Sequence, residues 1–507
     1  MNQADDLFHV EDGAVRGHRP VPGVVACLGI PYAAAPFGAG RFREPRPPSR
    51  WAGVREGGAF GPVVPQSARL PGAPFWTPGE EDVLTLNVWA PEPGPASGAA
   101  PVLVWIHGGA YTFGSSAQPD FDGAELARTG GLVVVTVNYR LGFEGFGRVP
   151  DAPGCPDNRG LLDQLAALRW VRTNIAAFGG DPGNVTVAGQ SSGAASAVCL
   201  MGMARARGLF RRVVALSPAS PCRTAGLAAA TTREVAAAAG VAATAEGLAA
   251  ASPSELVDAS DRVVERYRRD PDTGARHHNP VIYGPVVDGE ILPAAPLAAI
   301  EAGAAREVEL LVCHTTQEYW LMDAVGATDG VGTDERLAAL ARDLGLPAYL
   351  VPGYRALLPE ATAHEIQLSV LGDLLFAEYA NRLAETHARA GGRTYLSRFD
   401  RRRTGPRGPV LAWHNADVPF VFGTLGDPAV AFLVGGPPTA DDHRLARRMR
   451  ASLAAFAATG DPGWPPLGEA AAHVWGAAES TGTAWHPGTR ELWRDVDFVP
   501  LSTGPAG

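Results

Sequence analysis

The sequence contains no lysine, and all 43 of its basic residues are arginine. We attribute this to the codon usage of a GC-rich genome and derive no function from it. The 53 acidic residues outnumber the arginines, so the formal net charge is −10. This composition provides no excess of basic residues that would bind nucleic acid or an anionic membrane surface, and we expect neither as a partner.

Cysteine is also scarce, and its few positions are far apart. The chain has five cysteines and no CxxC pair: Cys27, Cys155, Cys199, Cys222 and Cys313. This pattern argues against a disulfide framework and against a zinc site. We therefore expect free thiols in a reducing compartment and no metal.

Long apolar runs are missing as well. Runs such as "GLVVVTV" (131–137) are far shorter than the roughly 20 residues that a membrane-spanning helix needs. The N-terminal stretch "MNQADDLFHVEDG" lacks the basic and apolar regions of a signal peptide. The sequence thus predicts a cytoplasmic protein without membrane insertion.

The sequence does contain the alternating pattern of an α/β protein. Buried strands are predicted for "PVLVWI" (101–106), "LVVVTVNY" (132–139) and "NVTVAGQ" (184–190), and a helix for "LLDQLAALRWVRTNIAAFGG" (161–180). This alternation indicates a mostly parallel central sheet with helices on both faces. Because no long linker or repeat interrupts the 507 residues, we expect a single domain spanning residues 1–507.

Two segments are predicted to be helical insertions into this domain, at about residues 223–300 and 323–390. Within the first, "SPSEL" (252–256) indicates a helix start, with Ser252 as N-cap, Pro253 in the first turn and Glu255 three residues after the cap. Near the C-terminus, "DDHRLARRMRASLAAFAATGDP" (441–462) predicts an amphipathic helix that ends near Gly460.

The stretch "VAGQSSGAAS" (187–196) matches G-x-S-x-G when it is centred on Ser191. Between a strand and a helix, this turn projects Ser191 from the sheet edge, and Gly189 and Gly193 occupy positions where a Cβ would clash. Ser192 follows one place later and presents its backbone N–H instead of its hydroxyl. The alternative is a Gly/Ser-rich turn without chemistry.

A second glycine-rich loop, "WIHGGAYTFGSS" (105–116), follows the strand at 101–106. A strand that ends in His-Gly-Gly-Ala can expose unpaired N–H groups to a carbonyl oxygen, which suits an oxyanion hole. The alternative is an ordinary glycine-rich turn.

Together with these two motifs, further blocks in a fixed order make the chain resemble the type-B carboxylesterases, the α/β-hydrolase family of bacterial p-nitrobenzyl esterases, liver carboxylesterases and cholinesterases. The resemblance runs from about residue 10 to 495. It implies an α/β-hydrolase fold and a serine carboxylesterase that acts on a small-molecule ester without a cofactor. The blocks are "CLGIPYAAAPFGAGRFREPRPPSRW" (27–51), "EDVLTLNVWAP" (81–91), "VVVTVNYRLGFEGFG" (133–147), "DNRGLLDQLAALRWVRTNIAAFGGDPGNVTVAGQSSGAAS" (157–196) and "GLFRRVVALSPAS" (208–220).

The resemblance also implies the site residues. The nucleophile is Ser191, the acid is Glu318 in "LLVCHTTQEYWLM" (310–322), and the base is His414 in "LAWHNADVPFVFG" (411–423). Ser217 matches a second serine that supports the acid–base pair. The family's oxyanion donors match the N–H groups of Gly109, Ala110 and Ser192.

Three residues depart from the family pattern. Gln317 and Tyr319 replace the usual Asp and Gly on either side of the acid, and the bulk of Tyr319 predicts a locally different backbone. Gln190 replaces the Glu that commonly precedes the nucleophile, which removes one negative charge from the site. We therefore expect neutral esters to be preferred over choline esters.

Some alternatives stay open at this point. Trp320 and Trp413 flank the acid and the base, and they either narrow the substrate pocket or pack in the core. An acyltransferase or a lactone-forming enzyme would use the same triad. A catalytically idle, esterase-like binding protein is disfavoured because all three triad candidates are retained. The acyl and alcohol preference and the oligomeric state are not specified by the sequence.

Overall fold

The structure is a computed structural model that describes residues 6–68, 74–92, 94, 98–220, 222–328, 330–405, 408–468, 472–476 and 487–502. Its strands are β1 (Leu7–Val10), β2 (Gly13–Arg16), β3 (His18–Val21), β4 (Val24–Pro31), β5 (Val54–Glu56), β6 (Thr85–Pro91), β7 (Ala100–Ile106), β8 (Val133–Val137), β9 (Gly180–Gln190), β10 (Arg212–Leu216), β11 (Arg223–Thr224), β12 (Val286–Val287), β13 (Glu309–Thr315), β14 (Thr394–Phe399), β15 (Arg403–Gly405), β16 (Gly408–Val410) and β17 (His473–Trp475).

The helices are α1 (Ala124–Gly130), α2 (Gly142–Phe146), α3 (Arg159–Asn174), α4 (Ser192–Gly202), α5 (Ala225–Ala239), α6 (Ala245–Ala250), α7 (Pro253–Arg269), α8 (Ala275–His278), α9 (Pro296–Glu301), α10 (Trp320–Ala324), α11 (Asp334–Asp343), α12 (Leu350–Leu357), α13 (Ala363–Gly372), α14 (Glu378–Arg389), α15 (Val418–Phe422), α16 (Ala431–Val434), α17 (Ala440–Thr459) and α18 (Pro487–Trp493). Within the described residues, none of these helices has both the length and the apolar character required of a membrane span.

A ten-stranded sheet forms the centre of the fold, in the order β17-β14-β13-β10-β9-β7-β8-β6-β4-β3. The strands from β17 to β8 in this order run parallel, and β6, β4 and β3 continue the sheet with antiparallel pairs. The predicted strands at 101–106, 132–139 and 184–190 correspond to the adjacent β7, β8 and β9. The sequence pattern therefore correctly predicted the mostly parallel part of the sheet.

Each face of the sheet is buried by helices. Along β7, Val102, Val104 and Ile106 belong to one hydrophobic cluster with residues of α3 and α4, whereas Leu103 and Trp105 belong to a second cluster with residues of α1 and α17. This alternation is the two-residue period of a strand with helices on both sides. The predicted arrangement of helices on both faces is confirmed.

The predicted helix signals also have the expected geometry. Ser252 and Glu255 form a reciprocal capping box at the start of α7, with Pro253 as its first residue. Helix α17 ends at Thr459, and Gly460 follows with a φ of 79°, a left-handed conformation that suits glycine. Helices α5–α9 lie between β10 and β13, and α10–α14 lie between β13 and β14. These helices fall in the two segments for which insertions were predicted.

One helical stretch deviates from regular α-helix. The turn of residues 373–377 between α13 and α14 is π-helical. Side chains of α11–α13 and of this turn form a third hydrophobic cluster, which includes Tyr354, Phe376 and Trp493. The sequence pattern predicts helix throughout this region and does not indicate the π-helical turn.

Candidate active site

Ser191 occupies the sharp bend between β9 and α4. Its φ of 55° and ψ of −123° lie outside the regions that residues with a Cβ normally adopt. Two backbone hydrogen bonds hold the bend: the Ser191 N–H donates to the Leu216 carbonyl, and the Ala195 N–H donates to the Ser191 carbonyl, both at 2.9 Å. The strained bend is the geometry expected of a nucleophile elbow.

The glycines around this bend are required by close backbone contacts. A Cβ on Gly193 would lie 2.0 Å from the carbonyl oxygen of Ile106, at the end of β7. A Cβ on Gly189 would lie 2.5 Å from the carbonyl carbon of Gly193. The prediction that the strand and helix crowd together at these two positions is confirmed.

The glycine-rich loop after β7 lies against the same bend. Gly109 has a φ of 115°, and Ala110 has a φ of 51°. A Cβ on Gly108 would lie 2.6 Å from Oε1 of Gln190 and 3.2 Å from Cβ of Ser191. Among the described residues, the N–H groups of Gly109, Ala110 and Ser192 have no hydrogen-bond acceptor. These three donors are therefore available to a ligand oxygen.

Glu318 and His414 form a direct pair, although they are far apart in the sequence. Nδ1 of His414 donates to Oε2 of Glu318 at 2.6 Å. The other carboxylate oxygen, Oε1, accepts the Ser217 hydroxyl and the Thr315 N–H, each at 2.7 Å. The structure thus brings together three side chains of the predicted site, those of Ser217, Glu318 and His414, and the backbone N–H of Thr315 adds a contact that was not predicted.

The carboxylate of Glu318 is buried, with 2 % of the residue exposed. Burial raises the pKa of Glu318, but the positive charge that His414 can carry and the hydrogen bonds from His414, Ser217 and Thr315 outweigh it. The net effect holds the pKa below the ordinary value for glutamate. An ionised Glu318 can orient the imidazole and stabilise an imidazolium ion.

Gln317 and Phe376 contribute to the site in ways that the sequence analysis did not predict. The Gln317 N–H donates to the Ala412 carbonyl at 2.8 Å, and its side-chain oxygen accepts the Ala412 N–H at 3.2 Å, which ties the acid loop to the base loop. The ring of Phe376 lies 4.2 Å from the His414 ring. Gln317 was noted only as a departure from the family pattern, and no local sequence signal marked Phe376.

The second ring nitrogen of His414 is also occupied. The side-chain amide of Gln190 lies 2.9 Å from Nε2 of His414. Since Nδ1 carries the proton donated to Glu318, Nε2 is the acceptor and the amide is the donor. Within the described part of the chain, no hydrogen bond joins the Ser191 hydroxyl to His414. The nucleophile and base candidates therefore share one site without a direct hydrogen bond between them.

The two tryptophans that flank the acid and the base pack in the core. Trp413 is buried and stacks on Phe432 at a ring distance of 5.0 Å. Trp320 packs against two of the hydrophobic clusters. Neither side chain lines the cavity at Ser191, so the core interpretation is the correct one. Tyr319 is likewise buried, in the third cluster.

A narrow cavity of about 90 Å³ opens at the nucleophile candidate. Ala110, Ser191 and Ser192 line one part of it, and Phe376 and Tyr379 line another. Across the described ranges, no group of three or more His, Cys, Asp or Glu side chains is arranged to hold a metal ion.

Comparisons with known proteins agree with this geometry. The model of the carboxylesterase family matches residues 4–490. The para-nitrobenzyl esterase of Bacillus subtilis is 36% identical over 464 residues, which cover 88% of this chain and 90% of that protein.

Solved structures are similar over nearly the whole chain. A structure of a thermophilic PNB esterase has a TM-score of 0.84 and 32% identity, covering 96% of this chain and 99% of its own. The carboxylesterase of Geobacillus stearothermophilus has a TM-score of 0.81 and 35% identity, covering 96% and 100%. The predicted α/β-hydrolase fold and the resemblance to type-B carboxylesterases are confirmed.

Proposed function

The chain belongs to the carboxylesterase family and is a carboxylic ester hydrolase, and we propose that it cleaves esters with a Ser191–His414–Glu318 triad through an acyl-enzyme intermediate. The observation that carries this proposal is the 2.6 Å contact between His414 and Glu318, beside a strained Ser191 that lines a cavity. We further propose that the substrates carry no cationic group, because the residue directly before the nucleophile is the uncharged Gln190.

The first half of the reaction forms the acyl-enzyme. His414 accepts the Ser191 proton at Nε2, and the oxygen of Ser191 attacks the ester carbonyl. Before this step, the Gln190 amide has to release Nε2. The N–H groups of Gly109, Ala110 and Ser192 stabilise the tetrahedral oxyanion. His414 then protonates the leaving alcohol.

The second half repeats the same steps with water as the nucleophile. His414 takes a proton from water, the hydroxide attacks the acyl carbon, and the proton is returned to Ser191 as the acid product leaves. Glu318 accepts a hydrogen bond from Nδ1 throughout and stabilises the imidazolium ion in each half. Ser217 keeps the carboxylate in place and is a positioning residue.

We also infer that residues 1–507 form one domain. The support is that strands from β3, near the N-terminus, to β17, at residues 473–475, belong to the same sheet. A cytoplasmic location stays a prediction from cysteine usage. All five cysteines are free thiols, which is compatible with a reducing compartment.

The proposal is tested with p-nitrophenyl esters of increasing acyl length, on which we expect short to medium chains to react best. Ser191→Ala should lower turnover by about 10⁴-fold or more. The neighbouring Ser192→Ala is a matched control, because the proposed role of Ser192 uses only its backbone N–H, and it should retain most of the activity. Mass spectrometry of a quenched reaction should place the acyl group on the peptide containing Ser191.

The opposite pattern would overturn the proposal. If Ser191→Ala retained the wild-type rate, or if Ser192→Ala alone abolished it, the nucleophile would be assigned wrongly. Ester exchange with excess alcohol that outcompetes water would show acyl transfer to be the principal reaction.

A further inference from the structure

Arg223 lies in the same cavity as the proposed nucleophile. The cavity wall includes Arg223 together with Ser191, Ala110 and Tyr283. Only 6 % of the surface of Arg223 is exposed. A buried, charged side chain therefore forms part of the wall of the cavity that Ser191 also lines.

The backbone around Arg223 is held on both sides. Its N–H donates to the Pro285 carbonyl at 2.8 Å, and β11 pairs with β12 from Val286 onward. On the other side, the next N–H along the chain, that of Thr224, donates to the Leu501 carbonyl at 2.9 Å. The guanidinium group is thus attached to a fixed point of the wall, as recognition of a ligand group requires.

No carboxylate balances this charge within the described residues. The one hydrogen bond described for the Arg223 guanidinium goes to the carbonyl oxygen of Val281. The charged group with the largest effect on it is Arg276, another cation, whose own partner is Glu234 at 2.7 Å. Burial and, to a smaller extent, Arg276 lower the pKa of Arg223 to about 10, so the group still carries its charge at neutral pH.

Other buried arginines in this protein show how such a charge is normally satisfied. Arg140 pairs with Asp163 at 2.7 Å, and both side chains are essentially inaccessible to solvent. Arg159 forms no salt bridge with any residue that the structure describes, but its guanidinium donates to four backbone carbonyls. Arg223, with one carbonyl partner, retains most of its five N–H donors for the cavity. Burial of a charge in this way is unfavourable unless a partner of opposite charge arrives.

We propose that Arg223 binds an anionic group of the ester substrate, so that the preferred substrates carry a carboxylate close to the scissile ester. The inference rests on the proposed function, because it places that carboxylate in the cavity where Ser191 attacks. A carboxylate and a guanidinium form paired, charge-assisted hydrogen bonds. The carboxylate belongs either to the acyl part or to the alcohol part of the ester.

The test compares esters that differ only in the exchange of a methyl group for a carboxylate. Ethyl hydrogen succinate is matched with ethyl butanoate, which places the anion on the acyl part. The acetate ester of 3-hydroxypropanoate is matched with propyl acetate, which places it on the alcohol part. Proton release in a pH-stat gives kcat and KM for each ester.

Wild-type protein should have a higher kcat/KM for at least one anionic ester than for its uncharged match. In that pair, Arg223→Met should lower kcat/KM for the anionic ester by about 10- to 150-fold, the range of a charged hydrogen bond. The uncharged ester should change by less than roughly 3-fold. Arg223→Lys, which keeps the charge but not the forked geometry of the guanidinium, should have a kcat/KM for the anionic ester between those of wild type and Arg223→Met. The pair that responds identifies the part of the ester that carries the anion.

A purely structural role for Arg223 gives a different result. If Arg223 serves only to hold Val281, the Met variant lowers kcat/KM for the charged and uncharged esters alike and lowers the melting temperature. Equal wild-type activity on both members of both pairs would also overturn the inference.

If Arg223→Met fails to fold, inhibition of the wild-type enzyme decides the matter. Succinate is then compared with butanoate, and 3-hydroxypropanoate with propan-1-ol, as competitive inhibitors; the inference is contradicted if neither compound with the additional carboxylate binds better than its match. A failure of the proposed function is recognised separately, because Ser191→Ala would then leave hydrolysis of ethyl butanoate unchanged.

Discussion

The side-chain amide of Gln190 donates a hydrogen bond to Nε2 of His414 at 2.9 Å, across 224 positions of sequence. With Nδ1 bound to Glu318 at 2.6 Å, the imidazole is held at both nitrogens in the resting protein. The amide both fixes the ring and competes with Ser191 for the basic nitrogen. It brings no charge, in contrast to the glutamate that commonly precedes the nucleophile in this family.

Replacing Gln190 by Glu should change selectivity between charged and uncharged esters. We expect the wild-type protein to prefer 3,3-dimethylbutyl acetate to acetylcholine, which has the same shape but a positive charge. A carboxylate about 6 Å from that charge provides about 1.4 kcal/mol at an effective dielectric constant of about 40, so Gln190→Glu should shift the ratio of kcat/KM values toward acetylcholine by roughly 10-fold. The measurement is kcat/KM for both esters with both proteins.

Gln190→Met is the matched control for this prediction. It removes the hydrogen bond to His414 without adding a charge. The ratio of the kcat/KM values for the two esters should therefore stay unchanged, even if both values fall. The electrostatic argument is wrong if Gln190→Met and Gln190→Glu shift the ratio equally, or if the wild-type protein prefers acetylcholine.

Ser217 is expected to influence turnover without touching the substrate. Its hydroxyl donates to Oε1 of Glu318 at 2.7 Å, and it is fully buried. Ser217→Ala leaves that carboxylate oxygen with the Thr315 N–H alone, so Glu318 holds His414 less firmly. We expect kcat to fall by about 10-fold or more, with little change in KM.

Ser220→Ala is the control for this experiment. Ser220 lines the cavity, but its hydroxyl donates to the Leu374 carbonyl at 2.7 Å and not to Glu318. It should therefore affect KM more than kcat. If Ser217→Ala leaves kcat unchanged, Ser217 has no positioning role.

Gly193→Ala should destroy the site by displacing the backbone around Ser191. The added Cβ would lie 2.0 Å from the Ile106 carbonyl oxygen, and neither group is the end of a flexible side chain. We expect loss of hydrolysis and a lower melting temperature. Gly226→Ala is the control, because a Cβ there meets only the Thr224 hydroxyl oxygen at 3.9 Å and alanine favours the helix. Normal activity of Gly193→Ala would show that the bend tolerates more movement than its contacts indicate.

Several of the predicted site residues lie at the ends of strands. Ser191 follows β9, the Gly109–Ala110 loop follows β7, and Glu318 follows β13 closely. In a parallel sheet, neighbouring carboxyl ends meet at one edge, so a motif and its strand are enough to place these residues in one region. In the sheet, β9 is adjacent to β7, and β10 alone separates β9 from β13.

The parts that it did not predict depend on helices whose positions no local motif specifies. Arg223 lies at the start of the first helical segment, and Phe376 lies in the π-helical turn between α13 and α14. Both line the cavity, and a π-helical turn often accompanies a functional site. Their roles follow from tertiary packing around the sheet, which hydrophobic periodicity does not encode.

Asp417 lies three residues after the proposed base and is completely buried. Neither of its carboxylate oxygens makes a hydrogen bond of ordinary geometry with a described residue. Burial and, secondarily, the negative charge of Glu318 raise the pKa of Asp417 from 3.8 to about 7. A carboxyl group that keeps its proton in the folded state contributes stability below pH 3.8, and this contribution is lost as the pH rises from there through 7.

Asp417→Asn should therefore become stabilising as the pH increases. At pH 5 the folded wild-type protein still keeps this carboxyl protonated and has lost only part of the stability that the proton provides below pH 3.8. At pH 8 it has lost nearly all of it, so the free energy of unfolding of the variant relative to wild type should rise by an amount on the order of 3 kcal/mol between pH 5 and pH 8. Denaturant unfolding of both proteins at the two pH values measures the difference.

The exposed Asp258→Asn serves as the control, and its effect on stability should be small at both pH values. An Asp417→Asn variant that is no more stable at pH 8 than at pH 5, relative to wild type, would show that Asp417 ionises normally in the folded protein.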